Sequence, residues 1–185
     1  AHLPYEENYD QHNEPLPSWP VDPTLPREER QRNAYDNAIG YLDDVLAEVI
    51  ARFDQLEGER YLLITGDHGQ LLGEGGRWGH NDLLPQVAEV PVMVLAREAP
   101  EAALESLRQE QWISHHEAGL WLAERLGQRV ENPNRVAGEH FVQGKQLFGD
   151  NMIQRVRETP AGLVFDEPRL LSRWLRDLGE APSTP

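Results

Sequence analysis

The sequence contains 185 residues, with 32 acidic and 17 basic side chains and a formal net charge of −15. This length corresponds to one domain or a large piece of one, with enough residues to bury a core. The acidic balance argues against a nucleic-acid partner, because phosphate-backbone binding depends on clusters of Lys and Arg that are not present.

The absence of cysteine excludes disulfide bonds. The sequence has no run of about 18 apolar residues, so no membrane-spanning helix is predicted in it. The chain opens at Ala1 without a methionine or a visible signal peptide, which suggests a fragment of a longer protein.

The first part of the chain divides into a proline-rich segment and a long helix. Residues 1–26 contain six prolines that forbid regular structure. His2 is the chemical hint in this segment, either facing a site after folding or remaining a mobile terminal residue. Residues 27–56 are predicted to form a helix that Pro26 precedes and Gly58 caps. Its apolar side chains recur at three- and four-residue steps and form one stripe: Ile39, Leu42, Leu46, Val49, Phe53 and Leu56.

Two residue types that ligate metals follow a short apolar run. Residues 62–64 predict a buried strand, and Asp67 and His68 come just after its end, where ligands bind in open α/β sheets. One carboxylate oxygen and one imidazole nitrogen suit zinc or a similar transition metal. A glycine-rich run follows, which lets the backbone approach a ligand and adopt positive φ, and His80 closes the segment. The alternative is that these side chains are solvated loop residues.

Strands and helices alternate through the rest of the chain. Their order predicts an α/β fold with a mixed, mostly parallel sheet flanked by helices and a small β-rich appendage near the carboxyl end. We expect residues 1–130 to belong to the main domain and residues 131–185 to form the appendage. The predicted elements are a strand over 90–96, helices over 101–110 and 114–127, short strands over 141–148, 152–156 and 161–165, the last two paired as a hairpin, and a helix over 168–178.

The helix that begins near residue 114 carries its own start signal. Ser114 and Glu117 have the spacing of a capping box, with Ser114 as N-cap. His115 and His116 lie between them and suggest a metal pair at first sight. Adjacent residues in the first turn of a helix point in different directions. We therefore favour a structural or surface role for both histidines.

Several motifs occur in an order that resembles one known family. The resemblance is to the carboxyl-terminal half of the sulfatase-like branch of the alkaline phosphatase superfamily, and within it to the bacterial lipid-A-type phosphoethanolamine transferases. It covers about residues 1–127. The motifs are His2-Leu-Pro-Tyr5, Tyr35-Asp-Asn-Ala-Ile-Gly-Tyr-Leu-Asp43, Asp67-His-Gly-Gln-Leu-Leu-Gly-Glu74, His80-Asn81 and Val90-Pro-Val-Met-Val94.

The resemblance implies a zinc-dependent phosphoryl-group transferase with an alkaline-phosphatase-like fold. In that family the strand-end Asp and His ligate zinc, a role that falls here on Asp67 and His68, and His80 and His2 approach the phosphoryl group. Transfer passes through a covalent phospho-threonine, with zinc lowering the pKa of the nucleophile. The implied donor is a phospholipid and the implied acceptor is a membrane lipid or cell-envelope glycan. The implied location is the periplasm, anchored to the inner membrane by amino-terminal helices that this sequence does not include.

Two departures from the family pattern leave alternatives open. The family nucleophile and a further acidic zinc ligand have no match here, and Thr65 stands where the family has ordinary strand residues. Gln70 stands where many relatives carry Glu. One alternative is therefore a sulfatase or phosphoglycerol transferase. The identity of the missing nucleophile would distinguish a sulfatase from a transferase. The other is a catalytically inactive sulfatase-like binding or regulatory domain, which the absence of zinc would identify.

We predict that this polypeptide alone has no transferase activity, because two groups that the chemistry requires have no counterpart in it. The measurement is an assay of phosphodiester turnover by the purified polypeptide with added zinc. Clear turnover that Asp67→Ala abolishes would contradict the prediction.

Overall fold

The computed structural model describes residues 4–7, 18–109, 111–132, 135–145 and 149–180. These residues fall into two compact units. One is drawn from Ala1–His80 and Glu89–Ala99, and the other from Asn81–Ala88 and Pro100–Pro185. The predicted division into residues 1–130 and 131–185 stays a prediction.

The predicted helices and strands occur in the predicted order, and short elements that were not predicted lie among them. These short elements include a 3-10 turn at Tyr5–Glu7 and another at Glu74–Gly76. The helices are α1 (Arg27–Asp54), α2 (Pro85–Ala88), α3 (Ala102–Gln109), α4 (His115–Arg125) and α5 (Leu171–Glu180), and the strands are β1 (Arg60–Thr65), β2 (Leu71–Leu72), β3 (Trp78–Gly79), β4 (Val92–Arg97), β5 (Glu139–Lys145), β6 (Asn151–Thr159), β7 (Gly162–Phe165) and β8 (Arg169–Leu170).

The two apolar runs of the first unit form strands, as predicted, and these strands pair with each other. β1 pairs with β4 antiparallel, with Arg60 opposite Arg97 and Thr65 opposite Val92. The expectation of a mostly parallel sheet is therefore not confirmed: every strand pair in the described part of the chain is antiparallel. The α/β character of the prediction is confirmed. Antiparallel edge strands are common in otherwise parallel sheets, so two strands alone do not set the direction of a larger one.

The long helix α1 is attached to this strand pair at its carboxyl end. Phe53 is buried there, and the guanidinium carbons of Arg60 and Arg97 lie 5.6 and 5.9 Å from its ring centroid. Arg60 Nε also donates to the Phe53 carbonyl at 3.0 Å, and Arg97 Nε meets Asp54 Oδ1 at 2.8 Å. One arginine comes from each strand. Together they fix the end of α1 against both strands.

The predicted stripe of α1 is only partly buried. The helix ends at Asp54, two residues earlier than predicted, and its C-cap is Gln55 rather than Gly58. Mid-helix side chains of the stripe remain about two-fifths exposed, among them Ile39 at 39 % and Leu42 at 43 %. The periodicity therefore identified which residues share a face, but not what covers that face.

In the second unit, α4 begins with the predicted capping box. Ser114 Oγ accepts from the Glu117 backbone N–H at 3.2 Å, and a Glu117 carboxylate oxygen accepts from the Ser114 N–H at 2.9 Å. Trp121 on the same helix is buried and donates from Nε1 to the Ala103 carbonyl at 2.9 Å, which joins α4 to α3.

Glu117 also connects α4 to the antiparallel sheet of this unit. That sheet has the order β5-β6-β7, with β8 on the opposite end of β6. His140 on β5 lies between two carboxylates, with Nε2 2.7 Å from Glu158 and Nδ1 3.7 Å from Glu117. Arg135 Nη2 donates to the other Glu117 oxygen at 2.7 Å. The predicted hairpin is confirmed as β6 and β7, with Val156 opposite Phe165.

None of the helices in the described residues combines the length and the apolar character that a bilayer-crossing segment needs.

Loss of the Glu117 carboxylate is predicted to remove stability that depends on pH. Burial raises the pKa of Glu117, but hydrogen bonds from Ser114 and Arg135 and the charge of His140 outweigh it, so its pKa lies below the ordinary 4.5. A lowered pKa in the folded state adds stability above pH 4.5, and this is lost as the pH falls through the folded-state pKa. Glu117→Gln should therefore be less stable than wild type at pH 7, with the difference shrinking below pH 4.5. Urea unfolding followed by circular dichroism measures this.

Two further variants calibrate that experiment. Ser114→Ala removes the cap and should cost about 1 kcal/mol. Glu101→Gln breaks an exposed pair with Arg108 at 3.5 Å and should change stability by less than about 0.5 kcal/mol. A pH-independent loss in Glu117→Gln would contradict the assigned role of its carboxylate.

Candidate metal and oxyanion site

The candidate site begins where β1 ends. Thr65 is the last residue of the strand, and Asp67 follows two positions later with 91 % of its side chain exposed. The His68 backbone N–H donates to Asp67 Oδ1 at 3.1 Å, which leaves Oδ2 directed toward the imidazole. Asp67 Oδ2 and His68 Nε2 are 3.7 Å apart. The two side chains therefore converge in a position that solvent reaches.

The other ring nitrogen of His68 determines its tautomer. Nδ1 lies 2.9 Å from the Gly69 carbonyl oxygen. A carbonyl only accepts, so Nδ1 carries the proton and the neutral ring keeps its lone pair on Nε2. Histidines that ligate metals are commonly held in this way, with the second nitrogen bonded to a backbone carbonyl or a carboxylate.

The spacing of these two donors suits zinc. Two ligands bound at about 2.0–2.1 Å in a tetrahedral arrangement lie roughly 3.3–3.4 Å apart. The observed 3.7 Å requires only a small rotation of the exposed carboxylate. Within the ranges that the structure describes, no three His, Cys, Asp or Glu side chains meet at a common point. Catalytic zinc sites use three protein ligands, so a complete site needs at least one donor beyond the described residues.

The carboxyl group of Asp67 is held in its charged form. Burial raises its pKa, but hydrogen bonds from its own backbone N–H and that of His68, together with the His68 imidazole, lower it below the ordinary value of 3.8. The carboxylate is therefore ionised throughout the neutral range, as metal binding requires.

A short hairpin returns the chain to this point. β2 and β3 pair antiparallel, with Leu71 opposite Gly79 and Leu72 opposite Trp78. Extending that register by one step places Gln70 opposite His80, and Gln70 Oε1 lies 3.1 Å from His80 Nδ1. The ring of His80 stacks on that of His68, with the centroids 4.0 Å apart and the planes inclined by 21°.

The hairpin is fixed to α1 through an arginine. Arg32 Nε donates to the Leu72 carbonyl at 2.8 Å, and its guanidinium lies 5.7 Å from the Trp78 ring centroid. Gly73 turns between the two strands with φ of +111°, and a Cβ there would lie 2.7 Å from Arg32 Nη2 and 3.1 Å from Trp78. Only glycine fits this position without displacing the arginine.

Comparison with known proteins identifies the family of this chain. The sulfatase family model matches residues 2–118. The chain belongs to the sulfatase family. The match confirms the predicted resemblance at the level of the sulfatase-like branch of the alkaline phosphatase superfamily, which contains hydrolases and transferases.

The chain is also similar to a curated protein with a functional name. The low-salt glycan biosynthesis sulfotransferase Agl7 of Haloferax volcanii is 36 % identical over 87 residues, which is 43 % of this chain and 20 % of that protein. The chain therefore spans about a fifth of the length of this relative. No solved structure matches the chain.

The structure describes three of the four predicted site residues of this sulfatase-family chain. Asp67, His68 and His80 come together in one unit. His2 lies outside the described residues, so its predicted role stays a prediction. His115 and His116 are exposed in the other unit, and His116 Nε2 lies 3.3 Å from Asn132 Nδ2.

The hydrogen bond between Gln70 and Tyr5 was not predicted from the sequence. Gln70 Nε2 donates to the hydroxyl of Tyr5, which is fully buried. Tyr5 packs edge-on against Tyr35 of α1, with ring centroids 5.3 Å apart. The sequence did contain a signal for the hairpin that positions Gln70. Short apolar or aromatic pairs at residues 71–72 and 78–79 flank the glycine run and allow a hairpin to form.

Replacement of either converging donor is predicted to weaken zinc binding. Asp67→Ala and His68→Ala should each raise the dissociation constant of the polypeptide for zinc by at least about tenfold, because each removes one of two ligands. Isothermal titration calorimetry measures this constant. The matched controls are Asp43→Ala and His115→Ala, which remove an exposed carboxylate and an exposed imidazole elsewhere. Equal losses in variants and controls would contradict a site at Asp67 and His68.

Proposed function

We propose that this chain contributes the Asp-His metal pair and the phosphoryl-contacting histidine of a zinc-dependent transferase of the phosphoethanolamine type. The observation that carries the proposal is the convergence of Asp67 Oδ2 and His68 Nε2, 3.7 Å apart, with the His80 ring stacked alongside at 4.0 Å. The sulfatase family match over residues 2–118 supports it.

Each residue has a defined task in this proposal. Asp67 and His68 hold zinc, which when bound supplies positive charge that lowers the pKa of a nucleophile and balances the charge of a phosphoryl group. His80 contacts the oxygens of the reacting group and moves a proton at Nε2. His2 is proposed to approach the same group from the opposite side. The nucleophile is proposed to come from outside this chain.

The proposed donor is a phospholipid and the proposed acceptor is a membrane lipid or a cell-envelope glycan. The proposed location is periplasmic, with attachment to the inner membrane through a segment outside these residues. These assignments rest on the motif resemblance to phosphoethanolamine transferases. The name of the Haloferax volcanii relative refers to glycan biosynthesis, which supports a glycan acceptor.

A second candidate is transfer or hydrolysis of a sulfate ester. It is favoured by the name of that relative, which describes a sulfotransferase. A phosphodiester and a sulfate monoester are both tetrahedral esters with one negative charge. The carboxylate, the two imidazoles and the zinc of the proposed site accommodate either, so substrate measurements must distinguish the two candidates.

The test compares two singly charged chromogenic esters, bis(p-nitrophenyl) phosphate and p-nitrophenyl sulfate, with the full-length protein that contains residues 1–185. We expect turnover of the phosphodiester that depends on zinc. His80→Ala should lower kcat by roughly 10²–10⁴-fold, the usual contribution of a positioned acid or base. Asp43→Ala, an exposed carboxylate on α1, should leave turnover unchanged.

A preference for the sulfate ester would contradict the phosphoethanolamine-type transferase and support transfer or hydrolysis of a sulfate ester instead. Zinc-loaded protein that turns over neither ester, or a His80→Ala variant with normal kcat, would contradict the proposal.

A further inference from the structure

We propose that Gln70 is a positioning residue that fixes the orientation and tautomer of His80, and that Tyr5 holds Gln70 in place for this purpose. The inference deepens the proposed function of the same site and rests on it for its catalytic meaning. The tautomer itself is a property of the folded chain that is measured without zinc or substrate.

The backbone brings the two side chains together. Gln70 immediately precedes β2 and His80 immediately follows β3, and the antiparallel register sets them opposite each other. Side chains at directly opposed positions lie close enough to interact. The resulting contact between Gln70 Oε1 and His80 Nδ1 measures 3.1 Å.

The observed orientation of the Gln70 amide determines which nitrogen of His80 carries the proton. Nε2 of Gln70 donates to the Tyr5 hydroxyl, so Oε1 of Gln70 is the atom that faces His80. An amide oxygen accepts and cannot donate. Nδ1 of His80 must therefore carry the proton, and in the neutral ring Nε2 is the nitrogen with the lone pair. Rotation of the amide would set an N–H against this ring and favour the other tautomer.

Tyr5 makes this arrangement rigid. Its side chain has no exposed surface, and its ring packs edge-on against Tyr35 at an interplanar angle of 76°. Burial raises the pKa of the Tyr5 phenol, with the Gln70 hydrogen bond acting in the opposite direction, so the hydroxyl stays neutral at physiological pH. A chain of contacts thus runs from Tyr35 on α1 through Tyr5 and Gln70 to the ring of His80.

The stack with His68 completes the positioning. The two rings are 4.0 Å apart and nearly parallel, and each has its Nδ1 directed to an amide oxygen, the Gly69 carbonyl for His68 and the Gln70 side chain for His80. Both imidazoles therefore have the same tautomer, with the unprotonated nitrogen at Nε2. In this state Nε2 of His80 is the atom that takes up a proton when the ring acts as a base.

The direct test is ¹⁵N NMR of the histidine rings in chelator-treated polypeptide. In wild type, His80 should carry its proton on Nδ1. Gln70→Leu removes the acceptor and should shift the ring toward the Nε2–H form, while Gln70→Glu keeps an acceptor oxygen and should retain the Nδ1–H form. Tyr5→Phe should give a mixture. Gln86→Leu, at an exposed glutamine on α2, is the matched control and should change nothing.

Two results overturn the proposal: an Nε2–H tautomer of His80 in wild type, or an unchanged tautomer in a folded Gln70→Leu variant. Retention of the Nδ1–H tautomer in Gln70→Glu is the folding control. A variant with a disrupted hairpin would lose the contact that sets this tautomer. In the full-length enzyme, Gln70→Leu should lower kcat by about 10–100-fold with little change in KM, the scale seen when a partner that orients a metal-site histidine is removed. A tautomer shift without any measurable turnover of wild type would sustain this inference and defeat the proposed function instead.

Discussion

The antiparallel pairing of β2 and β3 is the constraint on which the site depends. These strands contain two residues each, yet their register determines that the chain leaves the site at Asp67 and His68 and returns to it at His80. The arginine of α1 that binds the Leu72 carbonyl and lies over Trp78 stabilises the hairpin from outside. The absence of a Cβ at Gly73 leaves room for that arginine. The positions of three side chains therefore depend on a hairpin of two residue pairs, in which Leu71 is buried.

Much of the first unit could be predicted from the sequence, because its signals are local. The helical periodicity of residues 27–56 and the apolar runs that became β1 and β4 were sufficient to place these elements. The direction of strand pairing was not, since a run that is apolar throughout pairs equally well either way and the long connection between the runs permits both. Leu71 and Leu72 are too few to show a period of two, so the hairpin that aligns Gln70 with His80 was not recognised.

Burial was also harder to predict than position. Val49 in the predicted stripe of α1 and Val45 beside the stripe are each 40 % exposed. Periodicity reports which side chains share a face, whereas burial depends on what packs there. In the second unit, the spacing of Ser114 and Glu117 predicted the capping box correctly. That Glu117 also meets Arg135 and His140, which are far away in sequence, had no local signal.

The central claim is that Asp67 and His68 hold zinc together. The most direct measurement is zinc-edge X-ray absorption of the zinc-loaded polypeptide. The account predicts a first shell of nitrogen and oxygen at about 2.0–2.1 Å, with an imidazole scattering signature that His68→Ala removes and the His115→Ala control retains. A first shell without imidazole, or an imidazole signature that survives in His68→Ala, would contradict it.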